Sequence, residues 1–127
     1  MKRDFYDVRR FIVVSRNIAP RELPGAPLEE TRELCERLIV EEVRETVEAM
    51  RARDIPEVAD GIADSIYVLL FAAWAYGIDL PAVWQAVVDA NLAKFPECQT
   101  CFGDGWVQPE RDRVQCSACG GRGRTVI

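Results

Sequence analysis

Residues 41–64 read EEVRETVEAMRARDIPEVADGIAD, and this stretch decides how the chain folds. Its first half, full of Glu, Arg and Val with no Gly or Pro, continues a helix that runs from Leu28 to about Arg53. Asp54-Ile55-Pro56 opens the next helix, the aspartate as N-cap and the proline in the first turn, where a missing N–H is tolerated. That helix ends at Gly77. Asp79-Leu80-Pro81 starts another, which Pro96 stops near Phe95. Upstream, Asp4 to about Val13 carries Phe5, Val8, Phe11 and Ile12 at helical spacing. Pro20, Pro24, Gly25 and Pro27 mark the loop between. No strand pattern occurs before residue 97, so this part is expected to be an all-α helical bundle.

The same stretch carries the chemistry. Glu41, Glu42 and Glu45 form E-E-x-x-E and span a roughly 100° arc of one helix, with Leu34 and Leu38 on that side. Glu57, Asp60 and Asp64 span about 60° of the next, and Val68 and Phe71 continue their stripe. Both arcs are therefore expected to face inward, so that two antiparallel helices present six carboxylates to one another. Gathered like charges repel, and desolvation adds to the cost. A divalent cation such as Mg²⁺ relieves this, since it takes oxygen ligands from a few carboxylates, waters and phosphates. E-E-x-x-E alone is commonly a solvated helix face. The second acidic stripe, on a strongly apolar helix, weighs against that plainer reading.

Composition narrows the classes. The 127 residues leave room for one domain plus a small appendage. With 49% apolar and 29% charged residues the composition is globular, and a net charge of −5 argues against coating of nucleic acid. There is no histidine, which removes Ser-His-Asp and Cys-His catalysis and every His-containing metal site. The start, Met1-Lys2-Arg3-Asp4, leads into no signal-peptide core, and the apolar run Ile66–Tyr76 is shorter than the roughly 20 residues of a membrane span. The expectation is a cytoplasmic protein with no membrane partner.

The composition shifts near residue 97, giving expected domains of 1–96 and 97–127, with the net charge carried by the first. Cys98-Gln-Thr-Cys101-Phe-Gly-Asp-Gly105 and Cys116-Ser-Ala-Cys119-Gly-Gly-Arg-Gly123 are two copies of C-x-x-C-x-G-x-G. Four thiolates in two such knuckles make a closed tetrahedral site, the pattern of structural Zn²⁺. Two disulfides are the alternative, disfavoured in a cytosolic chain. Trp106-Val107-Gln108 and Arg113-Val114-Gln115 are expected to pair as a hairpin around Pro109 to Asp112. Arg111, Arg113, Arg122 and Arg124 read as solubilising charges, since four acids offset them. Cys35 reads as a small buried residue, and Trp74 and Trp84 as core or interface aromatics.

Taken together, the helical segments resemble the all-α nucleoside triphosphate pyrophosphohydrolases. That group includes MazG, dimeric dUTPases and phosphoribosyl-ATP pyrophosphohydrolase, and the resemblance is closest to phage and bacterial MazG-like proteins. It covers about residues 4–95. Arg37-Leu-Ile-Val-Glu-Glu42 is similar to the lead into the first motif, and Asp64-Ser-Ile-Tyr-Val68 to the second. Tyr76-Gly-Ile-Asp79 is similar to the helix break and Asn91-Leu-Ala-Lys-Phe95 to the closing motif. One departure stands out: the second motif is E-x-x-D, yet three residues before Asp64 stands Gly61. Asp60, which shares the face of Asp64, is the expected stand-in, whereas Glu57 lies a helical turn too early.

The resemblance implies α–β cleavage, NTP plus water giving NMP plus pyrophosphate, with Mg²⁺ or Mn²⁺ as cofactor. It implies a catalytic set of Glu41, Glu42, Glu45, Asp60 and Asp64. Of these, Glu42, Glu45, Asp60 and Asp64 would hold the metal. Asn91 and Lys94 would bind the triphosphate. The cysteine repeats resemble half of the DnaJ zinc-finger region. An apolar third helix also leads us to expect a homodimer or higher oligomer. Two other functions stay open: a non-catalytic nucleotide- or nucleic-acid-binding regulator on this fold, and a nucleic-acid-binding zinc ribbon that the helices dimerise.

Overall fold

The computed structural model describes residues 1–15, 18–108 and 112–125. Four helices carry the first part: α1 (Lys2–Ser15), α2 (Glu29–Ala52), α3 (Ile55–Tyr76) and α4 (Leu80–Leu92). Two short strands follow, β1 (Trp106–Val107) and β2 (Val114–Gln115). The architecture is thus an all-α helical bundle with a small C-terminal hairpin. The chain divides into two compact units, Met1–Val83 and Trp84–Ile127.

In the first unit α2 packs along the length of α3, and α1 lies against α3. The reversal between α2 and α3 takes two residues. Arg53 adopts a left-handed φ of 58°, and Asp54 caps α3 by accepting a 3.3 Å hydrogen bond from the Glu57 N–H. Pro56 fills the first turn, as its missing N–H allows.

The core of this unit forms where α1 crosses the C-terminal half of α3. Phe5, Val8 and Ile12 meet Leu70, Phe71, Trp74 and Ala75, with Cys35 joining from α2. Phe5 stacks on Trp74 with ring centroids 4.2 Å apart. The buried indole N–H finds its partner in the Phe5 carbonyl at 2.7 Å, which settles the polar end of the tryptophan. Phe11, expected in this stripe, is instead exposed with its ring edge-on to Tyr67. It lies about 120° around the helix from Phe5, outside the arc that Val8 and Ile12 share with it. Trp74 is a core aromatic, and Trp84, expected in the core or an interface, is half exposed.

The end of α3 is closed by the loop between α1 and α2. Backbone N–H groups of Arg21 and Gly25 donate to the carbonyls of Trp74 and Tyr76, each at 3.0 Å, satisfying acceptors that a helix end leaves open. Gly77 caps the helix at φ 66°, and a Cβ there would collide with the Leu23 carbonyl oxygen. Gly77→Ala is expected to destabilise the protein by at least the roughly 1–2 kcal/mol of a left-handed non-glycine residue. A lowered urea midpoint at unchanged m-value checks it.

At 22 residues, α3 is longer than its apolar run and reaches membrane-spanning length and hydropathy. Asp60 and Asp64 interrupt the apolar run without interrupting the helix, whose limits are those expected from Asp54 and Gly77. Those two aspartates, and the core contacts of Leu70 to Ala75, are what a bundle helix carries.

In the second unit β1 and β2 pair antiparallel, Trp106 opposite Gln115 and Val107 opposite Val114. The expected turn at Pro109 to Asp112 lies, up to residue 111, outside the described residues, as does Arg111.

Candidate functional site

The carboxylates sit on α2 and α3, which pack along one another. Glu42 is half-buried, whereas Glu41, Glu45, Asp60 and Asp64 are exposed. The inward-facing arcs expected from helical spacing are therefore only partly inward. Val68 and Phe71 are buried further along α3, but the acidic ends of both stripes open to solvent. Desolvation, and then the charges of Asp64, Glu45, Glu41 and Asp60, push the Glu42 carboxyl above the usual carboxylate range. Glu42 thus senses acids from both helices. Glu57 lines an open cleft with Glu45, Glu48 and Asp54 at the α2–α3 reversal.

Ion pairing separates this group from the other acids. Glu29, Glu33 and Glu36 pair with Arg32, Glu48 with Arg44, and Glu22 with Arg9. Among the described residues, no basic side chain pairs with Glu41, Glu42, Glu45, Asp60 or Asp64. The five carboxylates are near enough for Glu42 to sense the other four, but among the described residues they are not drawn together into a group of metal-holding ligand atoms.

Between the acids lies a contact the sequence reading did not single out. Thr46 is buried, and its hydroxyl donates to the Glu42 carbonyl at 2.7 Å and meets Ser65 Oγ at 3.1 Å. Gly61 rests on it, so closely that a Cβ at 61 would lie 2.5 Å from Thr46 Oγ1 and 3.1 Å from its Cα. Thr46 lies four residues beyond Glu42, and Gly61 four before Ser65. That spacing is the only sequence signal that placed them beside the acids.

Asn91 and Lys94 belong to the second unit, where both are exposed. The Lys94 ammonium donates to Asn91 Oδ1 at 2.7 Å, so the two share a face.

The four tail cysteines are buried and converge, every pair of sulfurs within 4.8 Å. Cys98 and Cys116 lie 3.9 Å apart, Cys101 and Cys119 3.7 Å. Sulfurs at about 2.3 Å from a tetrahedral zinc stand roughly 3.8 Å from one another. A disulfide requires about 2.0 Å, and all four thiols are free. Among the described residues this is the one group of ligand atoms drawn so tightly to a point.

The two knuckles mirror each other. Cys98 N–H donates to the Gly123 carbonyl and Cys116 N–H to the Gly105 carbonyl, at 3.0 and 2.9 Å. The N–H groups of Gly105 and Gly123 point at the sulfurs of Cys101 and Cys119, each at 3.2 Å. A side chain at either glycine would strike the backbone of the opposite knuckle. Backbone N–H groups of Cys101 and Thr100 hold the Cys98 thiol down to about 6, and burial pushes the Cys101 thiol up to about 11. The cluster can chelate a structural Zn²⁺, and the N–H donors are the partners that zinc-bound thiolates need. Arg113 is tied to Asp104 and lies over the Trp106 ring, consistent with an ordinary surface charge.

The protein is thus an all-α bundle bearing an unpaired acidic constellation on two antiparallel helices, joined to a four-cysteine ribbon. Residues 6–91 match the phosphoribosyl-ATP pyrophosphohydrolase family, and the chain belongs to that family. The matched span holds all five carboxylates and ends at Asn91, leaving Lys94 and the cysteines outside it. No curated protein and no solved structure matches the chain. Family membership supports a nucleotide pyrophosphohydrolase type of activity.

Proposed function

We propose that the protein is a Mg²⁺- or Mn²⁺-dependent nucleotide pyrophosphohydrolase that cleaves NTP to NMP and pyrophosphate. The observation that carries this reading is the set of five carboxylates on α2 and α3 with no basic partner among the described residues. Glu42, Glu45, Asp60 and Asp64 would hold the cation. When bound, it supplies charge neutralisation to the phosphate oxygens. A carboxylate of the set Glu41, Glu42, Glu45, Asp60 and Asp64 orients or deprotonates the attacking water. Lys94 and Asn91 bind the phosphate chain by charge and hydrogen bonding. Cys98, Cys101, Cys116 and Cys119 hold a structural Zn²⁺, with residues 97–127 a ribbon domain and residues 1–96 a helical domain. Pyrophosphate release from a nucleotide panel with Mg²⁺ tests the reading. No release from any nucleotide would leave a binding or regulatory protein on the same fold.

We further place the protein in the cytoplasm, as a homodimer or higher oligomer. Val40, Val43 and Val47 on α2 and Ile62, Ile66 and Leu69 on α3 are each at least a third exposed, an apolar surface that a monomer leaves wet. Light scattering is expected to give at least twice the chain mass of 14.3 kDa. A monodisperse monomer would contradict it.

A further inference from the structure

We infer that Thr46, seated against Gly61 and bonded to Ser65, is the positioning residue that holds the carboxylates of α2 at working distance from those of α3. The inference rests on the metal-dependent reading above. Thr46 lies one turn beyond Glu42 and bonds to its carbonyl, while Ser65 adjoins Asp64. Gly61 lies between Asp60 and Asp64, and its Cα faces Thr46 with no room for a side chain. The two helices therefore meet at backbone level in the middle of the acidic group. A glutamate at 61 would not fit this contact without a shift of Thr46 or of the helices, and Asp60 is the acid proposed beside it. Aspartate is one methylene shorter than glutamate, and Mg²⁺ tolerates little deviation from bonds of roughly 2.0–2.1 Å. A close helix pair compensates for the shorter reach. The hydroxyl bridge then fixes rotation and slide, which a purely apolar contact would leave free.

The test is Mn²⁺ binding to the full-length, zinc-loaded chain without nucleotide, followed by calorimetry and electron paramagnetic resonance, with thermal midpoints recorded alongside. Thr46→Val keeps the shape and removes the hydroxyl, Thr46→Ser keeps the hydroxyl, and Gly61→Ala forces the helices apart. Thr46→Val and Gly61→Ala are expected to weaken Mn²⁺ binding about 10–100-fold, as losses of outer-shell support do. Thr46→Ser is expected to retain wild-type affinity. Wild-type Mn²⁺ affinity in Thr46→Val, or equal loss in Thr46→Ser and Thr46→Val, overturns the inference. Should Gly61→Ala fail to fold, the two Thr46 variants decide it. A wild-type chain that binds Mn²⁺ but releases no pyrophosphate overturns the proposed reaction alone. One that binds no Mn²⁺ overturns the inference together with the metal-dependent reading.

Discussion

Glu42→Ala and Glu45→Ala are each expected to lose more than about 100-fold in pyrophosphate release, above what outer-shell partners of a metal usually cost. Both variants should remain folded, because Glu45 is exposed and Glu42 half-buried, and neither belongs to the core. Removing Glu42 also removes a carboxyl whose charged form is disfavoured by desolvation and then by its acidic neighbours, so its loss should not lower the melting temperature. An activity loss without a stability loss is the signature of a site residue. The same assay sets the register on α3. Asp60→Ala and Asp64→Ala should raise the Mg²⁺ concentration needed for half-maximal rate strongly, and Glu57→Ala less. Retained turnover in well-folded Glu42→Ala and Glu45→Ala would remove the catalytic assignment. A dead Glu57→Ala beside a normal Asp64→Ala would move the register by a helical turn.

Removing zinc should unfold the ribbon and spare the helices. Structural zinc contributes roughly 10–16 kcal/mol in small finger peptides. The ribbon has little to replace it, since among the described residues Val107 alone packs on the four cysteines. The core of the first unit contains none of these four residues. Anaerobically prepared protein should contain one Zn²⁺ per chain, and Cys116→Ser should lose most of it. Chelation should abolish the dispersed amide signals of the hairpin while the helical circular dichroism stays nearly unchanged. Protein with no zinc by elemental analysis, yet with an ordered hairpin, would sink the assignment.

The local signals along the chain determined much of this. Asp54-Ile55-Pro56 and Gly77 set the limits of α3 because an N-cap, a first-turn proline and a left-handed glycine act within a few residues. The cysteine repeats fixed their own partners, since each knuckle is a short local turn and two knuckles have only each other to meet. The E-E-x-x-E spacing gave the acids of α2, but it did not give their exposure. Helical periodicity assigns angles around one axis and says nothing about how far a second helix covers them. The angle of Phe11 around α1 already turned it away from the Phe5 stripe, but only packing decided that Phe5 stacks on Trp74. Only packing brought Thr46 onto Gly61. That contact joins residues 15 apart on different helices, and its cause is the absence of a side chain. A missing Cβ leaves no pattern in a hydropathy reading until the neighbour that fills its space is known.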